Sequence, residues 1–288
     1  MGLSLWLRVF VRARQPGFAD RNRVSMKSAL IIVALIALSA AFGPLLLPFD
    51  HVSIDWNSVR TGLFTDGHVL GTDDLGRDRF ARLLVGTRVT LSVALAAATV
   101  ALVIGVAWGA IAGWVGGRTD ELMMRIVDGL YALPFMFVVI LLMVVFGRSI
   151  LLVFLGIGFV EWLTMARVVR GQVIALKQRP FVLAAEAAGS PARATLIRQI
   201  LPNVAGVAIA YLMLTVPHVV MIESFLSFLG LGVQEPLTSL GILVNEGAEE
   251  MDMNPVALLL PGGILVALIA CLTIAGERFR DRLADAAK

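Results

Sequence analysis

The chain has 288 residues, 58% of them hydrophobic and only 16% charged, with a mean hydropathy of +0.87 and a formal net charge of +3. An ordinary soluble domain holds about 45–50% apolar and about 25% charged residues, so a water-soluble fold is excluded. One cysteine, Cys271, rules out an internal disulfide and a cysteine metal site, and the basic balance suits cytoplasmic loops rather than nucleic acid.

In chain order, residues 1–27 carry six Lys and Arg. Leu3, Leu5, Trp6, Val9 and Phe10 beside Arg8, Arg12 and Arg14 predict an amphipathic helix lying on the membrane surface. The apolar block at 29–47 exceeds the roughly 7–15 residues of a signal-peptide core and follows a long lead, so it reads as a retained span. Further blocks follow at 90–114, 126–146, 151–169, 204–231 and 256–274. Each is close to the roughly twenty residues that cross a bilayer as helix, giving six expected spans. Gly105, Gly109 and Gly113 recur every four residues and make one small-residue face, for packing within the chain or between subunits. Gly147-Arg148-Ser149 predicts a tight hairpin, and Pro217 predicts a kink or tilt in the fifth span.

Charge orients these spans. Segment 167–198 holds six basic residues against one acid, and segment 232–254 holds four Glu, one Asp and no Lys or Arg. Basic loops stay cytoplasmic, which places both termini and 167–198 inside and 49–88 and 232–254 outside. The five Arg of 49–88, set among six Asp, run against this assignment.

Catalytic signatures are absent. There is no phosphate loop of the form G-x-x-x-x-G-K-[ST], no H-E-x-x-H and no G-x-S-x-G. The chain is therefore not expected to hydrolyse ATP or to be an enzyme. His51, His68 and His218 have no metal-site spacing, and no metal is expected. Intramembrane acids are costly and face protein or a water-filled path. The candidates are Asp128 and Glu223, with Glu161 also inside a span. For Asp128 a local pair with Arg125 competes with a pathway role. For Glu223, beside Ser224 and Ser227, packing and pathway roles both stand.

The stretch 167–203 is basic and too long for a turn. Residues 181–188 favour helix, Gly189-Ser190-Pro191 break it, and a second helix over 192–200 is expected to start with Ser190 as N-cap and Pro191 in its first turn. It is expected to end near Leu201-Pro202. A helical pair held between two spans is shaped to dock a soluble partner. Ala184-Ala185, Gly189, Ile200, Leu201 and Pro202 resemble the cytoplasmic loop motif of ABC importer permeases, E-A-A-x3-G-x9-I-x-L-P, with Ile200 one position beyond the motif's Ile. Leu183 stands at the motif's Glu and Gln199 at its Ile. Leu183 and Glu186 are three apart on one helix face, so Glu186 is a candidate replacement carboxylate. The coupling-loop candidates are Phe181, Leu183, Ala184, Ala185, Glu186, Gly189, Ser190, Pro191, Leu201 and Pro202.

Other segments resemble one branch of these permeases more closely. Leu70-Gly71-Thr72-Asp73-Asp74-Leu75-Gly76-Arg77-Asp78 is similar to the signature of the second, DppC/OppC-like permease subunit of dipeptide, oligopeptide and nickel importers. So are Arg125-Ile126-Val127-Asp128 with Ala132-Leu133-Pro134, residues 166–172 and residues 224–234. The resemblance implies an all-α polytopic membrane protein of the type I ABC importer permease fold. It would have six transmembrane helices, an N-terminal amphipathic helix and a cytoplasmic coupling loop at 170–203. Residues 1–27 would form the basic lead and 28–288 the permease domain.

It also implies partners. These are a DppB/OppB-like second permease, two ATPase subunits that bind ATP and Mg, an extracytoplasmic substrate-binding protein and membrane lipid. The acidity of the outer segments then suits a basic patch on the binding protein or is simply solvated loop charge. Peptide is the substrate the resemblance implies, with nickel or another small solute as the alternative, in a bacterial inner membrane. A gradient-driven transporter would want internal repeats or intramembrane ion sites, and neither is evident. No residue is singled out for contact with substrate.

Overall fold

A computed structural model describes residues 25–147 and 149–286. The amphipathic helix expected over residues 3–14, and Arg148 of the hairpin, lie outside the described residues. Helix α1 spans Met26–Leu46, and Ser25 caps it by accepting a hydrogen bond from the Ser28 amide at 3.1 Å. Its Leu35, Leu38 and Phe42 are exposed. In a bilayer that is the favourable arrangement, because lipid is as apolar as these side chains.

Helix α2, Arg79–Val115, runs 37 residues from an Asp78 N-cap. At 1.5 Å per residue it is about 55 Å long, against a bilayer core of about 30 Å. Its first turns, with Arg79 and Arg82, therefore stand clear of the apolar layer. After Gly116 the chain turns into α3, Gly117–Tyr131, and then α4, Phe135–Phe146. The single third span expected over 126–146 is thus two helices broken at Ala132-Leu133-Pro134. The proline lacks the amide a continuous helix needs, and it drives the residue before it out of the helical region.

Helix α5, Ile150–Lys177, starts at the Ser149 cap and packs along α2. The glycine face decides how closely. A Cβ on Gly109 would lie 2.4 Å from the Ala166 carbonyl oxygen, and one on Gly105 would lie 2.5 Å from Met165. The small-residue stripe is therefore used inside the chain, against α5.

Helix α6, Pro180–Ala187, is followed by Gly189 at φ +80 and by the short α7, Ala192–Thr195. Pro191 is extended (φ −63, ψ 139) and occupies the N-cap itself, so the expected Ser190 cap is displaced by one residue. The second loop helix does not end at Leu201-Pro202 either. Residues Leu196–Ile200 form a π turn that runs directly into α8, Leu201–Phe228. A proline ring in a regular helix clashes with the carbonyl four residues back. The wider π turn before Pro202 gives that carbonyl room, and the Leu201 amide bonds to the Leu196 oxygen instead. The irregular link is therefore only 178–191, and the flanks of the expected 170–203 loop belong to α5 and to the α7–α8 rod.

Helix α9, Leu240–Glu249, packs against α8 and α10, and α10, Pro255–Ala286, is the last described helix. Among the described residues, five helices are long and apolar enough to cross a membrane, and α4 is a shorter apolar helix. Two larger buried clusters hold the bundle. One joins α2, α8 and α10 through Val93, Ala97, Val219, Leu226 and Leu268. The other joins α5 to the start of α8 through Met165, Val169, Val173, Ile200 and Val204, and takes in Val182 of α6.

Candidate functional site

The link between α5 and the α7–α8 rod presents a short helix with one anchored residue. Val182 is fully buried. Leu183 is 52% exposed, Phe181 and Glu186 are exposed, and so are Ala184, Gly189 and Pro191. Ala185 and Ser190 are half-buried. The Thr195 hydroxyl donates to Ser190 Oγ at 3.1 Å and fastens the turn. Leu183 and Glu186 thus both face away from the bundle. Gln199, at the motif's Ile position, keeps a buried Oε1 without a partner among the described residues.

The outer signature is a folded charge network. Gly71 and Gly76 adopt φ +70 and +77, and a Cβ on either would sit about 2 Å from a backbone oxygen, of Thr61 and Asp55 respectively. These two glycines fold the segment so that Asp73 lies under the start of α2. Asp73 Oδ2 accepts from Arg77 Nε at 2.7 Å and from Arg82 Nη1 at 2.6 Å. Arg82 also binds Glu246 of α9, at 2.6 and 2.8 Å. Arg77 reaches Glu235 at 2.7 Å, and Arg79 pairs with Glu250. Burial opposes the charge of Arg77, and its hydrogen bonds to Glu235 and Asp73 outweigh that and raise its pKa. Arg60 forks onto Asp74 and holds that carboxyl below its ordinary value. Thr72 hydrogen-bonds Ser58, and His68 Nδ1 meets Asp78 at 2.7 Å, both buried.

This network explains the arginines that ran against the orientation rule. Four of the five in 49–88 are matched by acids of the two outer segments. It also accounts for part of the acidity of 232–254. Glu235, Glu246 and Glu250 each bind an arginine within the chain, Glu235 while staying exposed, and Glu249 and Asp252 are exposed as well.

The intramembrane acids differ from one another. Asp128 does not pair with Arg125. It accepts from Arg167 of α5 at 2.8 Å, while Arg125 binds Glu121 at 2.7 Å. Arg167 also lies over the Tyr131 ring, 4.3 Å from its centre. The broken third span brings α3 against α5, and that packing gives Asp128 its partner. Glu223 is fully buried and accepts from Ser227 Oγ at 2.7 Å and Ser224 Oγ at 3.3 Å, with Thr90 and Ser239 also facing it.

Glu161 is the acid at a cavity. Its Oε1 lies 2.9 Å from His218 Nδ1, joining α5 to α8. The cavity is about 420 Å³ and is lined by Leu133 at the helix break, Phe159, Glu161, Tyr211, His218 and Ile222. Sequence reasoning missed this pair because its members stand 57 positions apart. The available signal was a polar residue inside each of two apolar blocks.

Comparison with known proteins agrees with this architecture. The family described as "Binding-protein-dependent transport system inner membrane component" matches residues 105–285. The chain is 45% identical to the Escherichia coli oligopeptide transport system permease protein OppC over 91% of this chain and 87% of that protein. It is 40% identical to the Bacillus subtilis OppC over 98% and 90%. It is also 35% identical to the nickel transport system permease protein NikC of Escherichia coli over 91% and 94%. On these matches the chain belongs to the binding-protein-dependent inner membrane components, as an ABC importer permease of the oligopeptide, dipeptide and nickel group.

Proposed function

We propose that this chain is one half of the translocation path of an ATP-driven oligopeptide importer in a bacterial inner membrane, with both termini cytoplasmic. The observation that carries the reading is α6. It is pinned by Val182 and otherwise turned outward, with Phe181 and Leu183 uncovered beyond the membrane. Exposed apolar side chains on a helix mark a docking surface, and a groove on a soluble partner is a natural cover. One of the assembly's two ATPase subunits would occupy that position; the pair would bind ATP and Mg themselves, so the chain needs no catalytic residues. The α7–α8 rod then carries displacement at the docking helix into the membrane without a flexible joint. A second permease would complete the path, and an outer binding protein would deliver the cargo. Peptide is favoured over nickel by the higher identity to the oligopeptide permeases than to the nickel permease.

The test uses the assembled importer in proteoliposomes, with peptide uptake measured per ATP hydrolysed. Glu186→Ala is expected to lower that ratio about tenfold, the effect of one lost charge-assisted hydrogen bond. Leu183→Ala, which removes only apolar area, should lower it about threefold. Equal or reversed effects would show that Glu186 does not stand in for the motif's carboxylate.

A further inference from the structure

Beyond the coupling surface, the bundle carries a polar site in a cavity on one face, where Glu161 is buried and His218 is half exposed. Glu161 is eleven residues from the Ile150 end of α5, and His218 ten residues from the Phe228 end of α8. At 1.5 Å per residue both lie roughly 15 Å inside, half the thickness of a bilayer core. Across from them the third span is broken at Leu133-Pro134, and that break lines the same cavity. A cavity, a discontinuous helix and an ionisable group at the midplane together mark binding sites in membrane transporters.

The lining has a definite sign. Among the described residues, Glu161 is its one acid and it includes no Lys or Arg. His218 holds Oε1, leaving Oε2 without a hydrogen-bond donor among the described residues. The rings of Phe159 and Tyr211 line the same space. A carboxylate with a vacant oxygen in a cavity that aromatic side chains also line is an arrangement that can receive an ammonium group. A divalent metal would want more donors than this pair, and among the described residues no cluster of three or more His, Cys, Asp or Glu exists.

We infer that Glu161, oriented by His218 and flanked by Phe159 and Tyr211, binds the protonated amino terminus of a peptide as it crosses the membrane. The inference rests on the peptide reading above. Glu161 binds cargo in transit, after release from the binding protein, and so affects the rate of crossing rather than delivery.

The experiment compares the assembled importer with its Glu161→Gln and Phe159→Leu variants in proteoliposomes. Two cargoes are used, a tripeptide with a free amino terminus and the same tripeptide N-acetylated, each at equal occupancy of the binding protein. Glu161→Gln should slow uptake of the free peptide about tenfold and leave the acetylated one unchanged, a loss of one charged contact. Phe159→Leu should slow the free peptide about threefold. ATP hydrolysis stimulated by the loaded binding protein should stay within about twofold in both, a readout that a misfolded variant would lose. Equal loss of both cargoes in Glu161→Gln, or no loss of either, overturns the ammonium site and leaves the peptide importer standing. If the unmodified assembly takes up neither peptide while its ATP hydrolysis responds, the peptide reading falls and this inference with it.

Discussion

Arg82→Met is expected to destabilise the folded chain by about 3 kcal/mol or more, the cost of removing one partner from a buried ion pair. Arg82 is only 3% exposed and bridges two carboxylates, Asp73 of the outer signature and Glu246 of α9. Asp73 keeps Arg77, but Glu246 would lose both of the hydrogen bonds that Arg82 donates to it. The penalty comes mainly from the stranded carboxylate and not from lost attraction. Adding Glu246→Gln should therefore recover part of the stability, which no simple loss of packing would allow. Thermal unfolding of detergent-solubilised protein measures this, and a drop of roughly 5–10 °C is expected for the single variant. A single variant as stable as the parent, or a double variant worse than the sum of its parts, would mean the network does not tie α2 to α9.

Gly109→Leu is expected to prevent the folded bundle from accumulating. The obstruction is backbone, because a side chain at Gly109 would meet the Ala166 carbonyl at 2.4 Å and the Arg170 amide at 2.9 Å. Neither atom can swing aside, so α2 and α5 must separate. Overpacking of this kind costs about 1–3 kcal/mol where side chains can yield, and more where they cannot. Gly171→Ala on α5 provides the contrast. Nothing lies within 4 Å of its added methyl, and it is exposed. Alanine there should be neutral or stabilising by about 0.5–1 kcal/mol. Yields of monodisperse protein distinguish the two, and similar yields from Gly109→Leu and the parent would refute the close packing.

The two variants also mark what the amino-acid sequence discloses and what it hides. The glycine repeat at 105, 109 and 113 was visible as a face, but which helix it meets depends on topology, and only packing identified α5. The five continuous spans followed from apolar blocks, because length and hydropathy are local properties. The break in the third was carried by one residue, Pro134, inside a run apolar enough to read as continuous. The π turn before Pro202 was equally local in cause, yet the same proline read as a helix end. The outer network lay beyond sequence reasoning for a different reason. Arg82 and Glu246 stand 164 positions apart, and charge counts treat them as opposing votes on orientation although they neutralise each other. Glu161 and His218 are similar. Each was visible as a polar residue in a span, and neither position revealed the other as its partner.

Helix α6 is the surface proposed to be covered by a cytoplasmic ATPase. The direct measurement is photo-crosslinking in native membranes from a reactive side chain placed at Leu183, with Leu35 on the outward face of α1 as control. Position 183 is expected to capture a nucleotide-binding subunit with a phosphate-loop motif, and position 35 none. Crosslinks from 183 to lipid or to this chain alone, in membranes where the chain is folded, would contradict it.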